Sequence, residues 1–121
     1  MYPTFDSPMD DLLPVLVREA DGLEFGVIGI DADHRVTVYN RFESHAAGLS
    51  PERVLGRGLF DEVAPCMNNF MIAQRFADEP EFDEQIGYVL TLRMRPTRVT
   101  LRLVKRAGEP LAWVLLRRGG K

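Results

Sequence analysis

At 121 residues the chain fits one compact domain, and 45% hydrophobic with 27% charged residues is enough for a core and too apolar for a disordered tail. A net charge of −3 and a pI near 5.4 exclude the basic footprint of a nucleic-acid binder. No apolar run approaches the roughly 20 residues of a membrane-spanning helix. The acidic opening "MYPTFDSPMDD" is unlike a signal peptide, and a single cysteine without an export signal predicts a reducing cytoplasm.

Residues 1–10 mix Pro3, Pro8 and acidic groups into an irregular lead-in. "DDLLPVLVREADGLEF" then predicts a short helix capped by Asp10 or Asp11, with Pro14 tolerated only in its first turn and Gly22 closing it. This apolar helix could pair with a second copy or fold back on its own sheet, which leaves a homodimer open. We divide the chain into an N-terminal cap segment, 1–20, and a folded domain, 21–121. "LEFGVIGIDADHRVTVYN" predicts a hairpin, with strands near 24–30 and 35–39 around the turn "DADH".

From Arg41 to Phe60 alternation stops. "SPERVLGR" predicts a one-turn helix with Ser50 as N-cap, Pro51 at the first helical position and Gly56 beyond the end. "FMIAQRFAD" (70–78) predicts a helix with Phe70, Ala73 and Phe76–Ala77 on one side. The last third reads as three strands: "EQIGYVLTLRMRP" and "RVTLRLVKR" alternate, and after the turn "AGEP" the run "LAWVLLRR" closes the chain. The pattern predicts an α+β fold, a five-stranded antiparallel sheet with short helices covering one face. Arg93, Arg95, Arg98, Arg102, Arg106, Arg117 and Arg118 read as the solvated face of those strands.

Three residues could carry chemistry. Cys66, the only cysteine, follows "DEVAP" in an irregular stretch. Most free cysteines are small buried apolar residues, although a rigid proline directly in front is unusual company for a packing residue. Tyr39 ends a strand and Glu43 lies four residues on, so a helix starting at Asn40 or Arg41 brings the two side chains to one face. A phenol and a protonated carboxyl together suit a buried oxyanion, and burial favours protonation of a carboxyl. A surface glutamate beside a strand-end tyrosine is the plainer alternative. His34 and His45 have neither a second cysteine nor a paired carboxylate and receive no role, metal included. The sequence has no GxSxG elbow and no phosphate-binding loop.

Taken in order, "DGLEFGVIGIDADHRVTVYN", the glutamate at 43, "SPERVLGRGLFDEVAPC", "YVLTLRMRPTRVTLRLVKR" and "WVLLRR" resemble the photoactive yellow protein family, PAS-fold blue-light receptors. The resemblance runs from about Asp21 to Arg118; "DEVAPC", "MRPTRV" and the Tyr-Asn-x-x-Glu spacing are its most specific parts. It implies a p-coumaric acid chromophore joined to Cys66 by a thioester, its phenolate between Tyr39 and Glu43. Signalling would follow from isomerisation, proton transfer from Glu43 and a conformational change passed to a separate protein. The implied pocket is completed by Ala47, Leu49, Phe60, Tyr88, Leu90, Leu92 and Met94.

Four of these positions depart from the family pattern. Ala47 stands where the family has a threonine, Leu49 where it has an arginine, and Leu90 and Leu92 where it has aromatic residues. The departures favour the alternative, a chromophore-free PAS ligand-binding or dimerisation module. An enzyme is the remotest reading, because Cys66 has no sequence-evident acid or histidine partner.

Overall fold

The computed structural model of the chain describes residues 2–92 and 95–118, without the side chain of Leu92. Strands β1 (Gly26–Ile30), β2 (Val36–Tyr39), β3 (Phe82–Leu92), β4 (Arg95–Lys105) and β5 (Ala112–Arg118) form one antiparallel sheet in the order β2-β1-β5-β4-β3. Helices α1 (Met9–Arg18), α2 (Arg41–Ala47) and α3 (Ala73–Asp78) accompany it. The α+β fold expected from the sequence is the one observed.

Strand register decides which residues can reach the site, since directly opposed residues share a face. One row runs Gly26–Leu116–Leu101–Ile86 and the next Arg118–Val99–Tyr88. This face packs against Leu59, Phe60, Met67, Ile72 and Phe76 from the central block. The opposite face carries Val27, Val104, Trp113 and Leu115, and it packs against Met9, Leu12 and Leu16 of α1 together with Phe5 and Phe25. The central helices therefore cover one face as expected, while α1 folds back over the other.

Four local expectations need correction. Helix α1 starts after Pro8 without a side-chain cap, so Asp10 and Asp11 lie in its first turn and do not cap it, and it ends at Arg18, before Gly22. Pro14 sits in the interior of α1, not its first turn. An interior proline costs about 3 kcal/mol, and burying Met9, Leu12 and Leu16 offsets it at roughly 1.5–3 kcal/mol each. Helix α3 starts at Ala73, because the Asn69 side chain accepts from the amides of Met71 and Ile72 at 3.0 and 3.1 Å and holds that stretch in a turn. Phe70 is consequently 80% exposed; Phe76 is buried as expected, and Ile72 is buried in place of Phe70. Around Ser50 the chain makes a tight turn over Pro51–Arg53 with no side-chain cap from Ser50.

Candidate functional site

Asn40 fixes the corner where β2 becomes α2. Its Oδ1 accepts from the amides of Glu43 at 3.0 Å and Val27 at 2.9 Å. Its Nδ2 donates to the carbonyls of Ala20 at 2.9 Å and Phe25 at 3.0 Å. One side chain thus caps the helix and ties it to β1. One turn into α2, Glu43 comes back over the sheet and is only 1% exposed. Position 26 has to be glycine for this: a Cβ there would lie 2.1 Å from Glu43 Oε1.

Glu43 is not a lone buried acid. Arg118 donates from its two terminal nitrogens to Oε1 at 2.7 Å and Oε2 at 2.9 Å, a two-pronged pair with the arginine side chain 19% exposed. Both oxygens accept, so the geometry selects the carboxylate, and the protonated Glu43 expected from burial alone is replaced by an ion pair. The bond to Glu43 holds the Arg118 guanidinium above its ordinary value, against the opposing effect of burial. Tyr39, 7% exposed, is pushed far above the ordinary phenol range, first by desolvation and then by the negative charge of Glu43, with Arg118 pulling slightly the other way. Tyr39 is therefore a neutral phenol, available as a donor.

The arginine-rich end reads as solvated, but the structure turns Arg118 inward. The signal was strand parity, for Val114, Leu116 and Arg118 are alternate residues of one strand and share a face. Arg102 is also misplaced by the solvated-face expectation: its side chain is 8% exposed and pairs with Asp83 on the α1 side. Arg93 lies outside the described residues.

Cys66 is placed by two successive turns, the first wide and the second tight. Between Gly58 and Ala64 the backbone closes i→i+5 bonds, Val63 to Gly58 at 3.2 Å and Ala64 to Leu59 at 2.8 Å. Such wide turns often mark functional segments. Pro65 then opens a short turn, Pro65–Met67, that carries the half-buried thiol. The Tyr88 hydroxyl donates to the Cys66 carbonyl at 2.6 Å and receives the Asn69 amide at 2.6 Å. Tyr88 thus anchors the cysteine turn to β3, a positional role that the sequence did not distinguish from lining a pocket.

Cys66, Leu49 and Tyr88 pack against the apolar cluster to which Tyr39, Phe60 and Leu90 belong. Ala47, half-buried, ends α2. The Leu92 side chain and Met94 lie outside the described residues. His34 packs edge-on to Phe60 with centroids 5.3 Å apart, and His45 is exposed. Among the described residues no three His, Cys, Asp or Glu side chains form a metal-holding group, and no helix is long and apolar enough to cross a membrane.

The PAS fold family model matches residues 16–117. The photoactive yellow protein of Halochromatium salexigens is 29% identical over 104 residues, covering 84% of this chain and 83% of that one. That of Rhodothalassium salexigens is 27% identical, covering 83% and 82%. The solved photoactive yellow protein domain of the sensor histidine kinase Ppr from Rhodospirillum centenum superposes with a TM-score of 0.75 at 36% identity, over 83% of this chain and 90% of that one. A PAS domain of an HTR-like protein from Haloarcula marismortui, TM-score 0.65 and 17% identical, shares the fold. The fold, the cysteine turn and these similarities agree: the chain belongs to the PAS fold family and, within it, to the photoactive yellow proteins.

Proposed function

We propose that this protein is a photosensor that carries a p-coumaroyl (4-hydroxycinnamoyl) group on Cys66 as a thioester. The observation that carries this reading is a half-buried thiol packed against the apolar cluster that contains the phenol of Tyr39, with the buried carboxylate of Glu43 near enough to that phenol for its charge to act on it. The donor set fits the group. A thiol accepts an acyl group from an activated donor, releasing its proton to the departing group; Tyr39 and Glu43 supply polar partners for a phenol. When bound, the group supplies a double bond that light can isomerise, conjugated to that phenol.

The chain's own residues define the rest. Tyr88 and Asn69 hold the cysteine turn, Asn40 holds the start of α2, and Leu49, Phe60 and Leu90 exclude water. Arg118 balances the charge of Glu43, so any change of contact at Glu43 is felt by β5. Its neighbour Arg117 points to the other face, where it bonds Asp6 at 2.9 Å and lies 4.5 Å over the Phe5 ring. Alternate parity of two adjacent arginines thereby links the site to the N-terminal segment. The output we assign to light is a proton transfer between the group's phenol oxygen and Glu43 and a loosening of that segment, passed to a separate signalling protein. A buried charge left without its partner is costly enough to drive it.

Intact mass after incubation with an activated p-coumaric acid tests the attachment. Wild type gains one coumaroyl group and Cys66→Ser gains none. Equal modification of both, or of neither, contradicts the assignment; an unmodified wild type points instead to a chromophore-free PAS module.

A further inference from the structure

The two edges of the sheet are unlike. Strand β2 is four residues long, and the register of its pairing with β1 shifts between Gly29 and Ile30. Its first residue is already covered: the Val36 amide donates to the Arg57 carbonyl at 2.9 Å, and the Val36 carbonyl accepts from the Gly56 amide at 2.8 Å. Strand β3, at the other edge, has none of this protection. It runs eleven residues in unbroken register with β4, and among the described residues its main chain has no hydrogen-bond partner beyond that strand. An antiparallel edge turns the N–H and C=O of alternate residues outward, so β3 presents one unpaired side of a ladder.

Proteins usually blunt such an edge with lysine, proline or a bulge. Here "QIGYVLTL" (85–92) has no charge and no proline, and its isoleucine, tyrosine, valine and threonine favour extended backbone. Val89 is 51% exposed, Thr91 is exposed, and a Cβ added at Gly87 would meet nothing within 4 Å. Charge sits only at the ends. Asp83 and Glu84 open the strand with side chains 39% and 53% exposed, although each already has an arginine of its own chain beside it. At the far end, Arg95 and Arg98 on β4 stand opposite Leu92 and Val89. Both arginines are exposed, and neither has an ion-pair partner among the described residues.

We propose that β3 is a self-association edge: two copies of the chain pair β3 against β3, antiparallel about a two-fold axis, and so join their sheets into one. Charge selects both the partner and the direction. Antiparallel pairing lays the acidic start of each strand beside the arginine-bearing end of the other, whereas parallel pairing would set acid against acid. Main-chain hydrogen bonds supply the attraction, and Val89 and Thr91 flank them on the face away from the site. The contact also closes, because each copy uses up its unprotected edge in making it. Gln85, on the same face as Val89, donates to Asp6 at 2.6 Å, which sets this edge beside an anchor of the N-terminal segment. The inference goes beyond the photosensor reading and does not depend on a coumaroyl group.

Sedimentation equilibrium of the unloaded protein over a concentration series reads the association. Wild type is expected to rise from the monomer mass to twice that mass and to stop there. Val89→Lys/Thr91→Lys is expected to stay monomeric throughout, with circular dichroism and melting close to wild type. Nitroxide labels at Gly87→Cys and, separately, at Val17→Cys, both in Cys66→Ser protein, read the geometry. Electron spin resonance should give short distances between copies at 87 and long ones at 17, which is exposed on α1. A wild type that is monomeric at every concentration overturns the proposal. So does an association that grows past the dimer, or one that the lysine variant retains. Short distances at 17 with long ones at 87 overturn it too, and place the contact on α1. Should the lysine variant not fold, the wild-type mass and the label distances decide alone. Because the protein is unloaded, failure here leaves the attachment at Cys66 to its own test.

Discussion

On the face covered by α2, one guanidinium is turned inward onto a carboxylate that is 1% exposed. On the face covered by α1, three guanidiniums fasten the N-terminal segment from the outside. Arg102 bonds both oxygens of Asp83 at 2.8 Å and donates to the carbonyls of Phe5 at 3.0 Å and Ser7 at 2.6 Å. Arg117 holds Asp6 at 2.9 Å and Arg106 holds Asp10 at 3.0 Å. Arg117 and Arg118, neighbours on β5, thus do two jobs, and strand parity chooses between them. The site face concentrates its electrostatics in one desolvated pair, which is hard to break in part. The cap face spreads them over one buried arginine, Arg102, and two solvent-exposed pairs, each of which can release a few residues without unfolding the sheet.

The comparison can be broken most severely at Arg118. Arg118→Met leaves Glu43 buried without its partner, and removing one member of such a pair costs about 3–5 kcal/mol. Denaturant unfolding should show that loss, and Glu43→Gln/Arg118→Met should regain most of it. A double variant no more stable than Arg118→Met would place the cost in packing rather than in charge. Next in size is Arg102→Ala, which removes hydrogen bonds to a charged donor worth on the order of 2–3 kcal/mol together. Its distinguishing mark is location: amide exchange should quicken across residues 5–18 while β4 and β5 stay protected. Uniform acceleration over the sheet would show that the cap is not a separate unit. The smallest effect belongs to Arg106→Ala. Its pair with Asp10 is open to solvent, the carboxylate 84% exposed, so stability should change by no more than about 0.5 kcal/mol.

Much of this architecture is legible in the chain because alternation survives in it. "VTLRL" shows period two directly and "AWVLL" is a continuous apolar run buried on both faces, and β4 and β5 follow. The four-residue step from Tyr39 to Glu43 places the glutamate once a helix begins at Arg41, as it does. What local pattern could not convey is partnership between distant residues. Arg118 looks like its solvated neighbours until β5 is known to lie between β1 and β4, and Asn40 looks like an ordinary cap until Val27, Ala20 and Phe25 surround it. The late start of α3 has the same origin, because Asn69 serves the turn before it and Tyr88 behind it. Pro14 lies inside α1 because burial against the sheet outweighs local propensity.

The central claim is that light acts through a group on Cys66, and one measurement addresses it most directly. Protein loaded with p-coumaric acid is illuminated in its absorption band and then followed in the dark, with amide exchange of residues 5–18 read in both states. The account predicts a band that bleaches and returns, with exchange in the cap rising in the light and falling back in step. A loaded protein whose spectrum and cap protection ignore light would contradict it.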